Sequence, residues 1–346
     1  MNNQVYVRHF SYALGDEAAS VDASAAQGLL ASNASALHEA GFRQHWRCKP
    51  GDTAYDLARR AVEPLRDHLR DVGAIVYATC IPANASIGNA ARFSESRDVR
   101  HLMDFPASHL QADFGLDRAI VIGLDQQACT GMLGALRIAR SLLLAEPEMT
   151  RVLCVTADRF PDGALYEQSY NLISDGAAAC IVSREPQGYR ILACHQVTNG
   201  ALVMGTAEET VGSYFAYAHR VINETLARAG LRMSDIDYVA PQNTNAKAWQ
   251  VLSRLLGFDF SRVWFPTIAE VGHVISADNI VNLKALEDSG QVTPGQRVLL
   301  FMAGYGMNWQ CVVLERSSGP FDHRPSTGSG RTENLTTVRG ELVEPR

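Results

Sequence analysis

Short apolar runs recur along this chain, at 73–80, 119–124, 151–156, 177–183, 236–241, 298–302 and 308–314. Most are rich in Val, Ile, Leu and aromatic residues, the composition of buried strands. Longer runs at 53–70, 129–145, 210–229, 246–256 and 276–288 predict helices. Short strands alternating with longer helices predict an α/β protein with mostly parallel sheets. The pattern breaks at 185–188, where Pro186 and Gly188 follow a strand, and this divides the body into halves at 1–185 and 186–316. Residues 317–346 are rich in Ser, Thr, Gly, Pro and charge. Such a segment buries too little apolar surface to offset its ordering entropy, so a disordered tail is expected there.

Composition narrows the function classes. With 346 residues, 47% of them hydrophobic, the chain can build two domains or one large duplicated one. A net charge of -6 disfavours a non-specific nucleic-acid binder, which would be basic. The first ten residues carry no apolar leader, and no stretch is expected to approach the ~20 apolar residues that span a bilayer. The seven cysteines are odd in number and widely spaced, without a CxxC pair. That argues against a disulfide framework or a metal site, and predicts free thiols in a reducing, cytoplasmic compartment. Most of them read as small buried hydrophobes.

One cysteine stands apart. The segment LDQQACTGMLGALRIAR, 124–140, follows a predicted strand and opens a predicted helix. Cys129 therefore falls at or near a helix N-terminus, where free N–H groups and the helix dipole favour a thiolate. Gly131, Gly134, Ala135 and Ala139 lie among larger apolar residues, as in a helix that threads a crowded interior.

Further segments fall in order behind it. Ala128, Cys129, Thr130 and Gly131 resemble the active-site cysteine turn of the β-ketoacyl-acyl carrier protein synthase III family, within the thiolase superfamily. Ser174, Asp175 and Gly176, followed by three alanines, resemble its Asp-Gly-Ala segment. The run Pro241, Gln242, Asn243, Thr244, Asn245 is similar to its Pro-His-Gln-Ala-Asn segment. Gly272, His273, Val274, Ile275 and Ser276 sit where the family has Gly-Asn-Thr-Ser. The turn from Gly304 to Trp309 resembles the glycine-rich turn before the last strand. The resemblance covers residues 1 to 316. It implies a duplicated thiolase-like fold, a five-layered αβαβα sandwich, in a homodimer whose central sheets pair edge to edge.

The site departs from the family pattern of Cys, His, Asn. Here the order is Cys129, Gln242, His273, with Asn243 as the alternative to Gln242 if the register slips by one. The imidazole and the amide have exchanged places. His273 would be the base, because its unperturbed pKa lies near neutrality. Gln242 would donate through its amide. The resemblance also implies an oxyanion hole built from the backbone N–H groups of Cys129 and Gly306. Thiolases add a second cysteine in the C-terminal glycine turn. None stands at 301–307, which disfavours a non-decarboxylative thiolase.

The resemblance implies no cofactor beyond the substrate's own phosphopantetheine thioester, carried by coenzyme A or an acyl carrier protein. Lys247 and Asn245, with Arg43 and Arg47 beside Trp46, are the candidate carrier- or substrate-binding residues. Ser35 and Glu39 stand where the family often has coenzyme A-holding Trp and Arg, which favours a protein-borne substrate. The segment 82–93, with few bulky residues, would leave room for a medium or bulky acyl group. The first reading is an acyl-thioester on Cys129 condensed with a malonyl unit, in fatty-acid-related or specialised polyketide-type metabolism. The second passes the acyl group to an O, N or S nucleophile without decarboxylation. The third is a catalytically silent partner subunit in a heterodimer.

Overall fold

The computed structural model describes residues 4–168, 171–204 and 207–318. The expected disordered tail lies, from 319 onward, outside the described residues. Nine strands form one sheet: β1 (Tyr6–Leu14), β2 (Val72–Ala78), β3 (Ile120–Leu124), β4 (Arg151–Asp158), β5 (Gly176–Ser183), β6 (Tyr189–Thr198), β7 (Tyr238–Ala240), β8 (Arg297–Gly304) and β9 (Asn308–Arg316). Their order is β7-β8-β9-β6-β1-β5-β4-β2-β3. The main helices are α1 (Ala54–Val62), α2 (Gly131–Ala145), α3 (Ala207–Ala229), α4 (Ala246–Leu256) and α5 (Asp278–Asp288).

The two halves meet where Tyr6 of β1 lies opposite Arg190 of β6. Helices α2 and α5 pack between the halves: α2 touches β4, β2 and β9, and α5 touches β1, β5, β7 and β8. Helix α1 covers the other face of β5, β1 and β4, while α3 covers β6 and β9 and is joined by α4. The layers thus run α, β, α, β, α, and the fold is thiolase-like.

Burial on both faces explains the continuous apolar runs of the strands. Along β2, Ala74 and Val76 join the central core with α2, while Ile75 and Tyr77 join the outer core with α1. Along β8, Val298, Leu300 and Met302 point to the centre, and Leu299 and Phe301 point outward toward Trp249. This is the period-2 alternation of a pleated strand with no solvent face.

Two expectations are corrected. The sheet is mixed rather than mostly parallel. Only β2–β3, β2–β4 and β7–β8 pair in parallel, while β1–β5, β1–β6, β4–β5, β6–β9 and β8–β9 are antiparallel. The reason is connectivity: β4 and β5, and β8 and β9, follow one another and pair through links with no crossover helix. Secondly, one segment, Ala128–Ala145, is long and apolar enough to cross a membrane by length and composition. It is a core helix here, with Met132, Leu136, Ala139 and Leu143 fully buried.

Candidate active site

Three neighbouring strands bring their C-terminal ends to one place. β3 leads through 125–127 into a single 3₁₀ turn, Ala128–Thr130, which continues as α2. Ala128 has φ +47°, a left-handed conformation that costs a residue with a Cβ ~1–2 kcal/mol. Its neighbours hold it there. Thr130 Oγ1 donates to Gln127 O at 2.7 Å, and Gln310 Nε2 donates to both Thr130 Oγ1 and Gln127 Oε1, at 2.9 and 2.8 Å. Small residues let the helix enter. A Cβ on Gly131 would lie 2.9 Å from Ala78 Cβ, and one on Gly134 would overlap Gln127. Cys129 is thereby placed, buried, at the head of α2.

The second segment, around His273, is pinned to the strand-like stretch before β5. The His273 N–H donates to Leu172 O at 2.8 Å, and the Ser174 N–H donates to His273 O at 2.9 Å. Gly272 has φ +64°, and a Cβ there would press on Leu172 O at 2.9 Å, so both its backbone and its surroundings require glycine. His273 Nδ1 donates to Asp278 Oδ2 at 2.5 Å. Asp278 opens α5, is fully buried, and also accepts from the N–H groups of Asn243 and Val274, at 2.7 and 2.6 Å. With Nδ1 committed, Nε2 is the ring nitrogen left for Cys129. Ser276 Oγ donates to Ala128 O at 3.1 Å and ties this segment to the cysteine turn.

The electrostatics follow from these contacts. A hydrogen bond with Cys80 and then the His273 side chain hold the Cys129 thiol down, to about 5, although burial pushes the other way. Burial disfavours a charged His273, but Asp278 and Cys129 outweigh it and raise the imidazole to about 10. The arrangement is a thiolate, an imidazolium and a carboxylate in a row. Cys80 Sγ lies 3.7 Å from Cys129 Sγ.

The other candidates occupy varied places. Gln242 is buried with its amide locked to one backbone residue: Nε2 donates to Ala303 O and Oε1 accepts from Ala303 N, both at 3.1 Å. Asn243 is a strut. Its Nδ2 donates to Gly272 O at 2.9 Å and its Oδ1 accepts from Asn282 Nδ2 at 2.7 Å. Asn245 caps α4, accepting from the Lys247 N–H at 2.9 Å. Lys247 is exposed and pairs with Glu39 at 2.8 Å. Arg43 donates to the carbonyls of His38 and Phe42, and Arg47 donates to Gln27 and lies 3.9 Å from Glu17. The glycine that closes on the nucleophile is Gly304, where a Cβ would lie 3.0 Å from Cys129 N. Gly306 instead faces Asn308 and Gln126.

Three residues of this site escaped the sequence reading. No local motif sets Asp278 apart from any other acidic residue near a helix start. Cys80 looked like a core thiol, and only the parallel pairing of β2 with β3 brings their ends, and hence Cys80 and Cys129, together. Gly304 needed the hairpin register, in which it lies opposite Asn308.

Residues 125–200 match the family model for 3-oxoacyl-[acyl-carrier-protein] synthase III, and residues 226–316 match the model for its C-terminal part. The chain belongs to this synthase III-like family of the thiolase superfamily. The β-ketoacyl-[acyl-carrier-protein] synthase III of Nitratidesulfovibrio vulgaris is 28% identical over 310 residues, covering 79% of this chain and 88% of that protein. Among solved structures, 3-oxoacyl-(acyl carrier protein) synthase III of Pseudomonas aeruginosa superposes with a TM-score of 0.74 at 23% identity, over 91% of this chain and 99% of the other. ChlB3, described as an acyltransferase, gives 0.75 at 20% identity, over 91% of this synthase III-like chain and 98% of the other.

Proposed function

We propose that this family member is an acyltransferase. Cys129 takes an acyl group from a coenzyme A or acyl-carrier-protein thioester. His273, oriented by Asp278, then activates an oxygen, nitrogen or sulfur nucleophile to receive it. The observation that carries the proposal is the Cys129, His273, Asp278 series, the geometry of a nucleophile, a base and the group that orients the base.

In the first half, the Cys129 thiolate attacks the thioester carbonyl. The Cys129 N–H meets the developing oxyanion. The donor's C–S bond breaks, and the departing thiolate takes the proton that His273 carries. That leaves His273 neutral. In the second half the acceptor attacks the Cys129 thioester, its proton passes to His273, and the S–acyl bond breaks to restore the thiolate. Each turnover ends with the protons where it began.

One observation favours transfer over malonyl condensation: the Gln242 amide is held by both the N–H and the C=O of Ala303, which leaves a single N–H to polarise a malonyl thioester. A second copy of the chain is the proposed partner. β3 is an edge strand whose Ile120 and Val121 are exposed, which suits edge-to-edge pairing.

The test is intact-mass measurement after incubation with a panel of acyl thioesters, with Cys129→Ala alongside, followed by alcohol, amine and thiol acceptors. The expected result is a Cys129-dependent mass gain that an acceptor discharges without carbon dioxide. Release of carbon dioxide from a malonyl donor would establish condensation instead. Failure to acylate from either carrier would leave a silent partner subunit.

A further inference from the structure

The thiol of Cys80 is not used in the steps above, yet its sulfur is 3.7 Å from the sulfur that reacts. For a thiol that separation is hydrogen-bonding contact. Cys80 does not reach this place by accident of a loose loop. It follows β2, and one buried carboxylate oxygen, Asp158 Oδ1 at the end of β4, holds its turn. That oxygen accepts from Thr79 Oγ1 at 2.6 Å, Cys80 N at 2.8 Å and Ile81 N at 3.1 Å. On the other side, the Thr79 N–H donates to Leu124 O at 2.9 Å and extends the β2–β3 ladder to the turn. Three strand ends thus fix one pair of sulfurs.

Two thiolates in such contact would repel, so one sulfur keeps its proton. The neighbours decide which. The titratable groups around Cys129 are His273, with Asp278 behind it, and Asp158 beyond Cys80. Cys129 therefore faces the imidazolium, whereas the acidic group at Cys80 is Asp158, which offers a thiolate there no positive charge in either of its protonation states. Negative charge belongs on Cys129 and the proton on Cys80.

We propose that Cys80 is a dedicated hydrogen-bond donor to the reactive sulfur, holding Cys129 as a thiolate before acylation and meeting its charge again when the S–acyl bond breaks. The inference rests on Cys129 being the nucleophile. Cys80 neither gains nor loses its proton. The electron pair of the breaking bond returns to Cys129, the acceptor's proton goes to His273, and the Cys80 S–H turns its hydrogen toward the returning charge. A leaving thiolate stabilised in this way departs faster.

The experiment follows alkylation of Cys129 by iodoacetamide between pH 4 and 9, with peptide mass mapping to separate Cys129 from the other thiols. It compares the full chain, Cys80→Ala, Cys80→Val and Cys80→Ser. In both apolar variants the pH of half-maximal rate should rise by at least one unit, slowing alkylation at pH 4, below both midpoints, about tenfold. Cys80→Ser, which keeps a donor, should recover most of the loss. Turnover should fall through kcat, with KM little changed. The thermal midpoint identifies any variant that misfolds, and the valine side chain fills the space the alanine leaves. A profile in the apolar variants that coincides with the parent's overturns the proposal while leaving Cys129 as the nucleophile. A parent Cys129 that titrates like a free thiol overturns both.

Discussion

His273 and Asp278 are joined by a 2.5 Å hydrogen bond across the start of one helix, and both side chains are buried. The bond fixes the ring's orientation and leaves Nε2 for the nucleophile. Removing the ring should abolish base catalysis without collapsing the fold. His273→Ala is expected to lower acyl transfer by roughly 10²–10⁴-fold. Asp278→Ala should cost stability as well, because the N–H groups of Asn243 and Val274 lose their acceptor. Single-turnover acyl transfer and denaturant unfolding separate the two effects. A His273→Ala enzyme within tenfold of the parent would remove His273 from the mechanism.

Gln242 offers a contrasting case. Its amide satisfies both the N–H and the C=O of Ala303, one residue before the glycine that touches the Cys129 backbone. Gln242→Ala should therefore act mainly on stability, by about 1–3 kcal/mol for the backbone groups left unpaired. The rate per folded molecule should change by less than about tenfold, the loss of at most one remaining N–H donor. Unfolding curves and acylation rates on the same preparation check both. A stable variant with a large rate loss would return Gln242 to the role of substrate donor.

How far the sequence reaches is clearest residue by residue. The helix at 246–256 matches α4 residue for residue, because Asn245 caps it and Gly257 ends it in the left-handed region. β1 was missed because a bulge between Arg8 and Ser11, with His9 at φ +53°, breaks the alternation. It also buries Arg8 and Ser11, which look like surface residues. Cys129 and His273 were legible because each sits in a recognisable local motif. Asp278, Cys80 and Gly304 were not, since each matters only through a neighbour distant in sequence. Gln242 was read for its chemistry, and the sequence could not reveal that Ala303 would occupy its amide.

Gly304 and Gly306 divide the oxyanion question between them. A methyl group on Gly304 would press on Cys129 N at 3.0 Å and on Gln127 O at 3.1 Å, both backbone atoms of the cysteine turn. One on Gly306 would meet first the Asn308 amide, a side chain that can shift. Gly304→Ala should thus lower the acylation rate the more strongly, by roughly 10–10³-fold if it displaces a single oxyanion donor. Gly306→Ala should be milder. Acylation followed by stopped-flow release of a chromogenic thiol measures both. The reverse ranking would place the second donor at Gly306.

Asp158 links the site to the pH dependence of folding. Burial raises its carboxyl to about 7, against the bonds from Thr79 Oγ1 and the Ile81 and Cys80 N–H groups, and the charge on Cys129 adds to the rise. The folded state therefore holds this proton more tightly than the unfolded chain, whose carboxyl titrates near ~3.9. The proton's stabilising effect is complete below ~3.9 and is lost as pH climbs through about 7. Integrated over that interval the effect is at most about 4 kcal/mol. Asp158→Asn has no such proton to lose. Urea unfolding at steps from pH 4 to 8 should show the parent losing stability relative to Asp158→Asn as pH rises, with most of the difference developed by pH 7. Parallel stability curves would mean that the carboxylate is already ionised in the acid range. The four hydrogen bonds from Thr79, Cys80, Ile81 and Asn84 would then outweigh its burial.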